Sequence, residues 1–236
     1  MMSRFTIDLH NHSCLSPCGS LEQSPSVMAR RAKEMGIDMM ALTDHNNTGN
    51  LPAFEKCCKT EGIIPVFGLE VTTQEEVHVV CLFSTLNKAM EFGRYIEFLL
   101  PDIPNIPELF GDQVIVDADE NIEGLVEKNL LSSTEISFET LIEEVLSNDG
   151  LAIPAHIDRL AFSVTSQLGF LPDLNYSAVE VVNYPTRHQT YENTIIRSSD
   201  AHYPDDIGKR VSYIESERLD FSVLKEALEY HRIMLS

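Results

Sequence analysis

No apolar run in the chain is long enough to span a bilayer, so a membrane-embedded protein is not expected. Also missing is any basic stripe or Arg/Lys-rich groove, which binding a long nucleic acid normally requires. The 236 residues carry 17 Lys and Arg against 37 Asp and Glu, a formal net charge of −20. The deficit of positive charge is uneven: residues 101–150 hold thirteen Asp or Glu and only Lys128, a net −12 that leaves −8 for the remainder. Cysteines are few and odd in number (Cys14, Cys18, Cys57, Cys58, Cys81), and they follow no zinc-finger spacing. That usage suggests a reducing compartment, hence the cytoplasm. The first residues read as running straight into a strand, so no signal peptide is expected. No internal repeat or low-complexity tract is found. These absences point to a small substrate, with bound cations offsetting local negative charge.

What is present is a chain long enough to bury an ample core, expected as one domain over residues 1–236. Phe5–Leu9 reads as a strand. Ser24-Pro25 then starts a helix that Gly36 ends. A second strand, Met39–Thr43, a helix near Leu51–Thr60 and a third strand, Ile64–Leu69, continue the alternation of a parallel sheet or barrel. Only Thr72–Glu76 separates the third strand from the fourth, Val77–Leu82. No crossover helix fits there, so these two strands form an antiparallel hairpin that sets His78 beside Glu70. A helical stripe follows at Leu86, Met90, Gly93, Ile96 and Leu100. Pro101, Pro104 and Pro107 then break regular structure, and a small hairpin is expected around 113–122. Residues 101–136 read as an acidic insertion, either a solvated face only or, from its position between strands four and five, a cover for the mouth of the sheet or barrel. The helix Ser137–Asn148, strands Leu151–Pro154, Ala178–Val182, Thr194–Arg197 and Val211–Ile214, and a final helix Phe221–Arg232 complete the chain.

Chemistry-bearing residues fall at the strand ends. His10 and His12 follow the first strand, Asp44-His45 the second and Glu70 the third. His78 begins the fourth; His156 follows the fifth, and Asp200 and His202 the seventh. Sites in parallel α/β architectures are built at the carboxyl ends of strands. Neutral imidazole suits zinc, iron, manganese or nickel, spacing alone does not choose among them, and there are donors enough for more than one ion. Strand alternation sets Asp8, His10 and His12 on one face, where Asp8 either orients His10 or only caps the strand. Asp44 either orients a ligand or binds metal. Arg159, three residues after His156, and Arg187, in the loop after strand six, either contact an anionic substrate through the guanidinium fork or form ordinary surface ion pairs. His188, His231 and the Cys57-Cys58 pair have bland readings as surface, structural and packing residues. Cys14 reads as part of a wall.

The motifs Asp8-Leu9-His10-Asn11-His12-Ser13, Thr43-Asp44-His45, Gly68-Leu69-Glu70, His78, Pro154-Ala155-His156 and Ser199-Asp200-Ala201-His202 together resemble those of the PHP (polymerase and histidinol phosphatase) family. The resemblance runs over about residues 5–215. It implies a distorted (β/α)7 barrel, interrupted by the insertion between strands four and five, with two or three divalent ions (Zn, Mn or Fe) in its mouth. It implies that His10, His12 and Asp200 hold one ion, which Glu70 bridges to a second held with His78 and His156. His45 and His202 would hold a third. Where many members have an acidic or imidazole ligand after the first motif, this chain has Cys18. The activity implied is phosphoester hydrolysis by a hydroxide bridging two metals, on a small phosphorylated metabolite, a nucleotide or a short oligonucleotide. Two other readings are an amidohydrolase-type C–N hydrolase, since those barrels also begin with His-x-His, and a non-catalytic metal-binding module. Glu70 and the Asp200-x-His202 ending weigh against the first, and the near-complete ligand set against the second.

Overall fold

Among the described residues, ten of the strands and five of the helices coincide with segments expected from the sequence. The computed structural model describes residues 1–235. Strand β1 (Ser3–Asp8) leads through α1 (Pro25–Glu34) to β2 (Met39–Leu42), α2 (Leu51–Glu61) and β3 (Ile64–Thr72). Next come β4 (His78–Phe83), α3 (Leu86–Leu99), the one-turn helix α4 (Pro107–Phe110), a hairpin of β5 (Val114–Val116) and β6 (Ile122–Leu125), and α5 (Phe138–Ser147). Then follow β7 (Leu151–Pro154), the short α6 (Val164–Gln167), β8 (Val179–Glu180), β9 (Ile195–Ile196), β10 (Ser212–Ser216), α7 (Phe221–Glu229) and β11 (Met234–Leu235). Helices α4 and α6 and strand β11 were not expected; two to four residues are too few to show a period. The helix starts follow capping chemistry. Ser24 Oγ accepts from the Val27 amide, with Pro25 in the first turn, and Ser137 Oγ accepts from the Thr140 amide.

The largest sheet has the order β11-β10-β1-β2-β3-β4-β7. Strands β1, β2 and β3 are parallel, while β3 and β4 form the expected antiparallel hairpin with Thr72 opposite His78. The far side is tied on by single bonds. Ser177 N donates to the Ala152 carbonyl (2.9 Å) and Ile157 N to the Glu180 carbonyl (2.8 Å), joining β7 to β8, which pairs in parallel with β9. Past β9, Asp200 N donates to the His10 carbonyl (2.8 Å) and His12 N to the Ala201 carbonyl (2.9 Å). The ring β1-β2-β3-β4-β7-β8-β9 is therefore a distorted barrel. Its distortion has a visible cause: β10 occupies the edge of β1 from Ser3 to Ile7. Strand β9 reaches β1 only through residues beyond its own end.

Alternation along the strands makes two apolar layers. Ile7, Met39, Ala41, Val66, Val80, Leu82, Leu151, Ile153 and Ile196 form an inner cluster, closed by Leu224, Ala227 and Leu228 of α7. The other set, including Met40, Leu42, Leu69, Val79 and Cys81, packs outward on Met28, Phe54, Phe92 and Leu141 of the helices. Residues 101–136 are stitched to the loops above the sheet. Asn46 Nδ2 donates to the carbonyls of Leu130 and Ser132, and Asn50 Nδ2 to that of Val114. Cys14 packs on Val114 and Val116, consistent with a wall residue, and Cys57 and Cys58 are buried among the helices.

Candidate metal centre

Glu70 sits at the carboxyl end of β3, 1% exposed, and five imidazoles surround it. Its Oε1 lies 3.2 Å from His10 Nε2, 3.0 Å from His78 Nδ1 and 3.2 Å from His156 Nε2. Its Oε2 lies 3.3 Å from His12 Nε2 and 3.1 Å from His45 Nδ1. The antiparallel hairpin brings His78 here, and the β1–β9 crossing brings His10 and His12 to Asp200. Asp200 Oδ1 is 3.4 Å from His10 Nε2 and 3.2 Å from His12 Nε2. His156 and Asp200 both have positive φ, 30° and 49°, a backbone that non-glycine residues adopt rarely and often at functional sites.

The donor set fits a divalent cation. Ser16 Oγ gives its own hydrogen to Asp44 Oδ1 at 2.7 Å, so at 3.0 Å from His12 Nδ1 it accepts. His10 Nδ1 likewise faces the Glu180 carboxylate at 3.1 Å. Each ring thus keeps a hydrogen on Nδ1 and turns Nε2 inward, where it takes either a proton or a metal ion, and these two Nε2 atoms are 3.2 Å apart. Facing lone pairs repel unless a proton or a cation lies between them. With Asp200 Oδ1 they outline a three-donor face whose edges measure 3.2–3.4 Å, and Glu70 approaches it with Oε1 on His10 and Oε2 on His12. Bonds of about 2.0–2.1 Å to a tetrahedral ion require edges of roughly 3.3–3.4 Å. Two further groups share its members: His45, Glu70 and His78, and His12, His45 and His202. His45 belongs to both of these groups.

Electrostatics describe the same trap. Burial alone would neutralise these groups. It is outweighed at Glu70, where the imidazoles of His78, His10 and His45 hold the carboxyl well below its usual range. Burial also opposes charge on His12 and His45, yet the surrounding carboxylates, Asp200 and Glu70 for His12 and Glu70 for His45, lift both to about 9. At His78 burial wins and pushes the imidazole down to about 4. His202 falls to about 3 through burial and the charge of His12.

The cavity above the cluster holds about 270 Å³ and is lined by Cys18, His45, Glu70, His78, His156, Arg159, Asp200 and His202, together with Thr72, Leu131 and Phe162. Arg159 Nη1 contacts Asp200 Oδ2 at 2.6 Å and remains 41% exposed on its side chain. Cys18 is exposed at the rim, within reach of His45. Arg187 is not brought here: it is exposed in the loop after β8 and lines no part of the cavity. His188 shares that exposed loop, and His231 instead bonds Thr194 Oγ1 at 2.7 Å. Strand β1 ends at Asp8, and Leu9 joins Ile7 in the inner core. Asp8 accepts the Ser199 amide at 2.9 Å, and burial pushes its carboxyl up to about 6. The residue that holds His10 is Glu180, which also accepts the His156 amide at 3.1 Å. Its only sequence signal is a carboxylate inside the apolar run Val179–Val182. Asp44 faces Ser13 and Ser16 rather than the cluster.

Comparison with known proteins follows from this geometry. The PHP domain family matches residues 8–233. A DNA polymerase III of PolC type from Thermotoga petrophila is 30% identical over 90 residues, 38% of this chain and 6% of that protein. The crystal structure of a lesion-specific endonuclease from Pyrococcus furiosus superposes with TM-score 0.67 at 18% identity, covering 99% of this chain and 58% of that one. A putative metal-dependent phosphoesterase from Bifidobacterium adolescentis gives 0.57 at 17% identity, covering 93% and 94%. The chain thus spans a small part of the curated polymerase and just over half of the endonuclease.

Proposed function

Because the chain belongs to the PHP domain family, and its donor cluster is that of a metal-dependent hydrolase, we propose that it hydrolyses phosphate esters, with a small phosphorylated metabolite, a nucleotide or a short oligonucleotide as substrate. The observation that carries this reading is Glu70 ringed by five imidazoles beneath a cavity whose lining includes one guanidinium, that of Arg159. Two or three divalent ions, of zinc, manganese or iron, would supply an acidified water and a Lewis acid for a phosphoryl oxygen. His10, His12 and Asp200 would hold the first and Glu70 would share the second with His78, His156 and His45. His202 and Cys18 would hold the third with His45.

The chain's own groups define the rest. Glu180 and the Asp44–Ser16 pair turn the two Nε2 atoms inward. Arg159 offers the planar fork that suits a phosphate, anchored at one nitrogen by Asp200. His202, held neutral, is a ligand rather than a proton donor. Cys18→Ser replaces a thiolate donor by a neutral hydroxyl; one ion per chain should be lost by elemental analysis, and an unchanged metal count would remove Cys18 from the ligand set.

The overall test is metal analysis of the purified protein with a screen of phosphomonoesters, cyclic nucleotides, short oligonucleotides and amides. Chelator-sensitive turnover of a phosphate ester is expected. Turnover confined to amides would move the protein to the C–N hydrolase reading.

A further inference from the structure

Phe162 is the part of the mouth that holding metal does not explain. It lies in the turn between β7 and α6 with φ at +56°. A bulky side chain seldom adopts that left-handed backbone, which persists only where the surroundings enforce it. Here the enforcement is visible. The Phe162 carbonyl accepts the His78 amide at 2.9 Å. Ser163, at the start of α6, donates from Oγ to the Arg159 carbonyl at 2.7 Å, and Thr165 Oγ1 donates to the Ile157 carbonyl. So held, the ring lies nearly parallel to the His78 imidazole, with centroids 4.6 Å apart and planes 14° apart. One ring face is covered, yet Phe162 stays 43% exposed and lines the cavity together with Arg159. His78 needs no such cover for its position, since Glu70 Oε1 already holds its Nδ1.

We propose that Phe162 is a stacking platform for a planar aromatic group of the substrate, a nucleobase, while Arg159 meets its phosphate. The substrate class is then a nucleoside phosphate, or the phosphorylated end of a short oligonucleotide, rather than a sugar phosphate. The inference rests on the phosphoester reading of the site and narrows it. One short turn supplies both contacts, a cation three residues before a ring. Stacking accepts any base because every base has a π-face, so the preference is for the class and not for one base.

The test measures affinity, so it does not depend on turnover. Methylene phosphonate analogues of adenosine monophosphate and of ribose phosphate are titrated calorimetrically into the metal-loaded protein. The adenosine analogue should bind about tenfold or more tightly, the size of one base–aromatic stack. Phe162→Leu should bring the ratio close to one, and Phe162→Tyr should keep it. A pair that needs no variant is the uridine and dihydrouridine analogues, which share polar groups but differ in ring planarity; the dihydro form should bind several-fold more weakly. Equal affinities in the wild type, for either pair, or an undiminished ratio in metal-replete Phe162→Leu, overturns the proposal. Retained discrimination without phosphate-ester turnover would remove the phosphoester reading and leave the stacking site standing.

Discussion

At the scale of single residues the centre is governed by one buried charge. Glu70 is removed from water and compensated by imidazoles alone, so its carboxylate needs cations around it. Glu70→Gln keeps the shape and removes the charge. At least one ion per chain should be lost, and turnover should fall by more than the ~10–100-fold typical of residues that only support ligands. Full metal occupancy with full activity would refute the assignment. The imidazoles give a pH signature. In the metal-free protein His12 and His45 are raised from 6.5 to about 9. Folded-state values above the unfolded ones mean stability that is complete below 6.5 and lost as pH rises through about 9. A loaded protein has already given up those protons. The difference in Tm between metal-loaded and metal-free protein should therefore widen from pH 6.5 to 9, as scanning calorimetry at several pH values would show. A constant gap would argue against protonated imidazoles in the metal-free cluster.

At the scale of elements, the β3–β4 hairpin is what turns two distant residues into one site. Its close approach depends on Gly68. A Cβ there would come 2.8 Å from Leu82 Cδ2 and nearer still to the Cys81 carbonyl oxygen. Backbone cannot swing aside as a side-chain tip can. Gly68→Ala should force β3 from β4, costing ~1–3 kcal/mol of stability as overpacking does. It should also weaken metal binding, because Glu70 lies two residues further along the same face. Thermal melts and chelator competition on one preparation would check both; a stable variant with native metal affinity would show that the strands tolerate the separation.

At the scale of the whole molecule, charge is the dominant feature. The segment 101–136 lies over the loops that carry the cluster, held there through Asn46 and Asn50. It supplies most of the net −12 of residues 101–150. Such a field repels long polyanions within about a Debye length, ~8 Å at physiological ionic strength. Mononucleotides or small phosphate esters should be cut faster than long single strands at low salt, and added salt should narrow the difference. Rapid digestion of a long strand at low salt would reject this selectivity, and would bring the protein nearer in habit to the endonuclease it resembles in fold.

Legible in the sequence are the alternation of strands and helices, the hairpin that sets His78 beside Glu70, and the imidazoles and carboxylates at strand ends. Each of these follows from short-range rules: period, capping and loop length. Which groups support those side chains is visible in the folded chain alone. Asp8 was in register with His10 on paper, but the strand ends before His10, and Glu180, 170 residues away, takes its place. Arg159 reaches Asp200 while Arg187 stays in solvent, though both follow a strand of the barrel. Phe162 carries no motif at all. Its ring reaches the mouth because a turn in the left-handed region is pinned to His78 from across the barrel. Local patterns cannot encode such contacts, since the bond that fixes each residue comes from a distant strand whose position only the closed barrel sets.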